Sequence, residues 1–264
     1  MKENEAYKRW REAQKAEFDF WKFQKRKKIP LPEESLERYE KCLKLVPLSI
    51  TNLTQILDVG SGPYGGVSLF ISKSCLKLSI DPLIGKKEFR NKESVKEIDS
   101  VRAVGECLPL IQNSFDIIFC VNALDHSYEP LRILNEINRV LCRRGVLILM
   151  VHVVTSKEKI IHRILCGTIF QRISFAIQRL RNFYLINKFF FELSALAFNG
   201  LDILNDSIVH PFYFMLKDVV AMLNQAGFTI NKIKLCQSPW NYKQDLYLVA
   251  YKHQSDNPYA IVRK

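Results

Sequence analysis

Apolar residues cluster along this chain in short unbroken runs separated by mixed segments. Ile56-Leu57-Asp58-Val59, Phe115 to Val121 and Val146 to Val151 are nearly continuous apolar stretches, too short for helices. Such runs predict strands buried on both faces, the mark of a parallel sheet covered by helices. Leu76 to Ile80 predicts a further strand, and Gln112-Asn113-Ser114 a turn ahead of Phe115. Between strands, Val67 to Lys73 predicts a helix, and Leu131 to Leu141 an amphipathic one. Lys217 to Ala226 predicts another, capped by Gly227. Phe228 to Cys236 and Asp245 to Tyr251 then predict a closing antiparallel pair.

The flanks follow other rules. Residues 4–28 predict a charged helix that nevertheless carries Tyr7, Trp10, Phe18, Phe20, Trp21 and Phe23, too many rings for a solvated helix. It stops at Ile29-Pro30-Leu31-Pro32, and a second helix runs from near Glu33 to before Pro47. Residues 156–206 break the strand–helix alternation with apolar, basic, helical sequence. The expected division is a helical cap over 1–50, an α/β domain over 51–252 with a helical lid at 156–210, and a tail from 253 to 264.

Composition narrows the class. With 264 residues, 48% hydrophobic and 25% charged, the chain can bury a sizeable core, which excludes wholesale disorder and a disulfide miniprotein. The seven cysteines are odd in number and scattered without a CxxC pair, pointing to reduced thiols, most of them buried, and not to zinc. No apolar stretch approaches a membrane span, and the first residues lack the apolar core of a secretory signal. Cytoplasm is the default expectation. The net charge of +12 is unevenly placed: about +4 over residues 1–45, about +1 over 46–152, and about +7 beyond. Residues 157–188 alone hold about +6, which fits either a lid with a solvated basic back or contact with an anionic membrane surface. The basic run Lys25-Arg26-Lys27-Lys28 sits among Glu3, Glu5, Glu12, Glu17 and Asp19, which argues against a nucleic-acid partner.

The chemistry starts where the first strand runs into Gly60-Ser61-Gly62-Pro63-Tyr64-Gly65-Gly66. Glycines there let a ligand approach the backbone closely, and Asp81, ending the next strand, can accept hydrogen bonds from two ribose hydroxyls. Downstream stand Gly105-Glu106-Cys107-Leu108-Pro109-Leu110, then Asn113-Ser114-Phe115-Asp116, Asp125-His126, and Glu136-Ile137-Asn138-Arg139-Val140-Leu141. Together with Ile56-Leu57-Asp58-Val59-Gly60-Ser61-Gly62-Pro63, this ordered set resembles the class I S-adenosylmethionine-dependent methyltransferases of the broad small-molecule group. The resemblance covers Ile56 to Leu149, about a third of the chain. It implies a Rossmann-like seven-stranded sheet in the order 3-2-1-4-5-7-6 with the last strand antiparallel.

The resemblance also implies S-adenosylmethionine as cofactor. Asp58 and the backbone of Gly60, Ser61 and Gly62 would hold its methionine end, and Asp81 the ribose. Pro82 and Leu83 would lie beside the adenine, Glu106 and Cys107 along its edge, and Val121 and Asn122 facing the sulfonium. Two departures stand out: Val104 occupies a place where the family often has an acid, and Tyr64 is an extra aromatic in the glycine loop. No metal is expected.

The acceptor is expected to be a small molecule, sugar or lipid-linked group methylated at oxygen, with a histidine as base. His126 leads, with Asp125 as its orienting partner; His152 at the end of the fifth strand and His210 after the lid are the other candidates. His162 and His253 read as surface residues. A carbon or nitrogen centre on a quinone-like or other lipid acceptor is the alternative, and a non-catalytic methyltransferase-like binding protein a further one.

Overall fold

The computed structural model describes residues 5–26, 33–71, 75–89, 99–155, 212–238 and 243–253. Two helices, α1 (Glu5–Arg26) and α2 (Glu33–Leu43), precede the sheet. Strands β1 (Gln55–Val59), β2 (Leu76–Ile80), β3 (Asp99–Val101) and β4 (Phe115–Val121) follow, then helix α3 (Pro130–Val140) and strand β5 (Leu141–Val153). Helix α4 (Leu216–Gln225) leads into β6 (Phe228–Gln237) and β7 (Gln244–Lys252). All seven strands form one sheet, ordered β3-β2-β1-β4-β5-β7-β6, with β7 antiparallel to both of its neighbours.

The apolar runs become central strands because both of their faces are covered. Along β4, Ile117, Phe119 and Val121 join the core on one side, while Ile118 and Cys120 join the core on the other. The same alternation assigns Val146, Ile148 and Met150 of β5 to the first face and Leu147, Leu149 and Val151 to the second. This period of two is what an extended strand between two helical layers requires. Helix α3 faces the second core with Ile133, Leu134, Ile137 and Val140. Trp21 of α1 and Tyr39 and Cys42 of α2 belong to the first core, so the N-terminal helices pack against the sheet itself.

Three expectations are corrected. The helix expected over Val67 to Lys73 is a 3₁₀ helix, Gly66–Phe70, that gives way to extended backbone at Ile71. Four glycines with left-handed φ (Gly60, Gly62, Gly65 and Gly66) resist helical extension from the loop. Strand β5 begins at Leu141, five residues before the expected Val146, because Leu141 pairs with Phe115 across an irregularity in the β4–β5 register. Of the cysteines described, Cys42 and Cys120 are buried, Cys75, Cys142 and Cys236 half-buried, and Cys107 exposed. The expected lid (156–210), His162, Cys166, His210 and the tail beyond His253 lie outside the described residues.

Candidate functional site

A cavity of about 520 Å³ opens over the C-terminal ends of β1, β2, β4 and β5 and is roofed by α1 and α2. It straddles the point between β1 and β4 where strand order reverses, the usual ligand crevice of an open parallel sheet. Of the residues singled out in the sequence, Gly60, Gly62, Asp81, Pro82, Leu83, Glu106, Asn122, His126 and His152 line it. Asp58, Ser61 and Cys107 do not.

The glycine loop is held by β2. Gly60 and Ser61 both donate their backbone N–H to the Ile80 carbonyl, at 2.8 and 3.2 Å. Gly62 donates to Asp81 Oδ2 at 3.0 Å, and Leu83 to Asp81 Oδ1 at 2.7 Å. These N–H groups thus tie the loop to β2 and to Asp81. What the loop offers is close approach: at Gly60 a Cβ would run into Ala123, and at Gly62 it would lie 2.9 Å from the Trp21 ring. Asp58 is buried beneath the loop, accepting the Ser68 N–H at 3.3 Å, with its Oδ2 only 2.5 Å from where a Gly66 Cβ would be. Its side chain faces the 3₁₀ turn, so it shapes the loop from behind. Ser61 is buried and turns its hydroxyl to the Gly62 carbonyl. Cys107 points outward at the exposed rim.

Pro82, Leu83, Ala103, Val104 and Gly105 give the β2 side of the cavity an apolar wall. Glu106, buried beside them, accepts the Tyr128 N–H at 2.9 Å and ties the segment after β4 to the rim. Asn122, at the end of β4, adopts a left-handed φ of 54° while its N–H bonds the Met150 carbonyl. Its Oδ1 is buried with no hydrogen-bond partner among the described residues.

Both cavity histidines face a carboxylate through Nδ1. His126 lies 3.1 Å from Glu17 Oε1 of α1, and its Nε2 is 3.5 Å from Asn122 Nδ2. His152 lies 3.0 Å from Asp245 Oδ1, directly opposite it in the β5–β7 register. Arg38 of α2 approaches Asp245 Oδ2 at 3.7 Å. Burial lowers the His152 pKa, with Asp245 opposing, so the ring is neutral at pH 7. Burial alone would raise the Asp245 carboxyl, but His152, Arg38 and Ser238 together hold it below its ordinary value.

Desolvation acts on the acids in the other direction. It pushes Asp81 up to about 6 and Asp58 to about 7, against the pull of their backbone N–H partners, and it raises Glu17 and Glu106 as well. Among the described residues the lining holds Glu17, Asp81 and Glu106, with Arg38 as its one Lys or Arg.

Sequence reasoning missed Glu17, Arg38 and Asp245. Trp10, Phe20 and Trp21 of α1 were expected to dock, and they line the cavity. The acids give no local motif, because each meets its histidine only through tertiary packing.

Comparison with known proteins fits this geometry. Residues 57–149 match the family described as "Methyltransferase domain". Residues 57–149 thus carry a methyltransferase domain. S-adenosylmethionine is its cofactor. A glycine/sarcosine/dimethylglycine N-methyltransferase of Actinopolyspora halophila is 30% identical over 105 residues, which are 37% of this chain and 18% of that protein. The chain thus spans under a fifth of that relative's length. The solved structure of a geranyl diphosphate methyltransferase in complex with its cofactor superposes with a TM-score of 0.54 at 9% identity, covering 83% of this chain and 85% of that one. The [4+2]-cyclase SpnF superposes with 0.53 at 15% identity, covering 81% and 79%. At such identities the likeness is one of fold, and the second relative is a reminder that chemistry varies on it.

The described residues fit the cofactor. Asp81 stands at the end of β2, glycines allow close approach, an apolar wall flanks that acid, and Asn122, in the lining, has a buried oxygen without a partner among the described residues.

Proposed function

We propose that this chain transfers a methyl group from S-adenosylmethionine to an oxygen of a small-molecule, sugar or lipid-linked acceptor. The observation that carries the reading is Asp81. Its carboxylate is fixed at the cavity floor by the Gly62 and Leu83 N–H groups, in the position where a ribose with two hydroxyls is recognised. In this reading Asp81 holds the ribose, while Pro82, Leu83, Ala103 and Val104 pack the adenine. Asn122 accepts from the amino acid end, and α1 with Trp21 closes the cavity against water. Asp58, Ser61 and Cys107 support the loop or the rim.

When bound, the cofactor supplies a methyl on a cationic sulfur, activated for displacement. The chain must align the acceptor and take its proton. With the acceptor oxygen held in line with that methyl, its proton would go to a ring nitrogen of histidine. His152 suits this role best: neutral, lining the cavity, with Nδ1–H directed to Asp245, so that Nε2 carries the lone pair. His126, facing Glu17 across the cofactor side, is the rival base, and His210 lies outside the described residues.

A second reading, transfer to nitrogen, is favoured by the acidic lining and by the N-methyltransferase relative. Calorimetry of S-adenosylmethionine with the purified chain is the first test: binding that disappears in Asp81→Ala supports the reading, and absence of binding to the unaltered chain sinks it. Among acceptors that release S-adenosylhomocysteine, His152→Ala abolishing turnover of hydroxyl compounds but sparing amines would separate oxygen from nitrogen transfer.

A further inference from the structure

We propose that Glu17 reads the positive charge of the cofactor, making α1 a cap that distinguishes a sulfonium from a thioether. The proposal rests on the S-adenosylmethionine reading above and deepens it. The acids around the cavity fall into two kinds. Asp81 is held by two backbone N–H groups, Asp58 by that of Ser68, and Glu106 by that of Tyr128, so fixed dipoles of the fold answer their charge. Glu17 is answered by side chains: Trp21 Nε1–H at 3.0 Å on one oxygen and His126 Nδ1 at 3.1 Å on the other.

Those two partners mark the span that Glu17 bridges. Trp21, also of α1, lays its ring against the glycine loop, 2.9 Å from the place of a Gly62 Cβ. His126 follows β4 and approaches Asn122. One carboxylate, carried on a helix outside the sheet, therefore meets His126 after β4 directly and the glycine loop through Trp21, four residues on in the same helix. Among the described residues it shares the lining with Asp81 and Glu106 and with only Arg38 as a Lys or Arg, and burial disfavours its charge. A cation entering this groove relieves that cost, and a neutral ligand of the same shape does not. Methyl transfer turns the first kind of ligand into the second, so the contact that holds α1 down weakens once the product has formed.

The test uses the full-length chain and three probes: S-adenosylmethionine, S-adenosylhomocysteine, and sinefungin, whose amine keeps a positive charge near the place of the sulfonium. Affinities are measured by calorimetry at about pH 8, well above the ordinary carboxylate range, and closure by tryptophan fluorescence. Glu17→Gln keeps the shape and the acceptor for Trp21 but removes the charge. It is expected to weaken S-adenosylmethionine and sinefungin about tenfold and S-adenosylhomocysteine less than about twofold, and Glu17→Asp to restore most of the difference. Equal loss for all three probes, or no loss for any, overturns the proposal. Failure of the unaltered chain to bind any probe would overturn the functional reading first.

Discussion

Asp81 shows how one residue couples structure to ligand. Burial raises its pKa to about 6, although the Leu83 and Gly62 N–H groups favour the charged form. A protonated carboxyl loses both its charge and one acceptor oxygen, so the cofactor binds the ionised form. Affinity for S-adenosylmethionine should therefore fall as pH drops through about 6, approaching tenfold per unit below it. Calorimetry at a series of pH values checks this, and binding near pH 6 should release a proton, seen as a dependence of the heat on buffer ionisation. Asp81→Asn should bind weakly at every pH, with that step removed.

Among elements, the signature residues near α3 act as ties. Arg139 donates to the Leu110 and Leu108 carbonyls at 2.7 and 2.9 Å, while Glu136 accepts the Leu108 N–H at 2.8 Å and pairs with Arg139 at 2.7 Å. This clamp fixes the 106–110 segment on α3 and so places the Glu106 rim. Arg139→Ala should cost on the order of 2 kcal/mol, since bonds to a charged group are lost together. Urea unfolding would show it, with cofactor affinity falling as the rim loosens. The clamp also explains what was legible in advance. Strands β1, β2, β4 and β5 and helix α3 are written in local periodicity, and Asp81, Glu136 and Arg139 stand at intervals set within single units of the chain. Glu17–His126 and Arg38–Asp245–His152 join residues far apart in sequence, through the docking of α1 and α2 and the pairing of β7. No spacing encodes them. The direction of the glycine-loop N–H groups was equally hidden, because it depends on the β1–β2 register and not on the glycines themselves.

At the scale of the molecule, charge is divided by place. The chain is net +12, yet the cavity that takes a cationic cofactor is acidic. Among the described residues no helix is long and apolar enough to cross a membrane. If the basic segment 157–188 meets an anionic surface, the chain should sediment with phosphatidylglycerol vesicles and not phosphatidylcholine ones. Binding should weaken as salt shortens the Debye length below about 10 Å.

The acidic cavity also has a global thermodynamic consequence. Glu17, Asp58, Asp81 and Glu106 are all raised by burial, Asp58 to about 7. Between about pH 4 and 7 the folded state keeps protons that the unfolded chain has released, so these groups subtract stability as pH rises through that window. His152, lowered by burial, acts in the opposite sense, removing stability as pH falls below about 6.5. Asp58→Asn, which keeps an oxygen for the Ser68 N–H, should therefore gain in Tm relative to the unaltered chain as pH rises from about 5 to about 8. S-adenosylmethionine neutralises the same repulsion in another way. Its stabilising increment, about 2.7 kcal/mol at a hundredfold excess over Kd, should grow with pH at fixed concentration as the carboxylates ionise and Kd falls. S-adenosylhomocysteine, lacking the charge, should show a flatter increment. Thermal scans with each nucleoside across that pH range separate the two, because an equal rise for both would mean that the cavity acids answer the ribose alone and not the sulfonium.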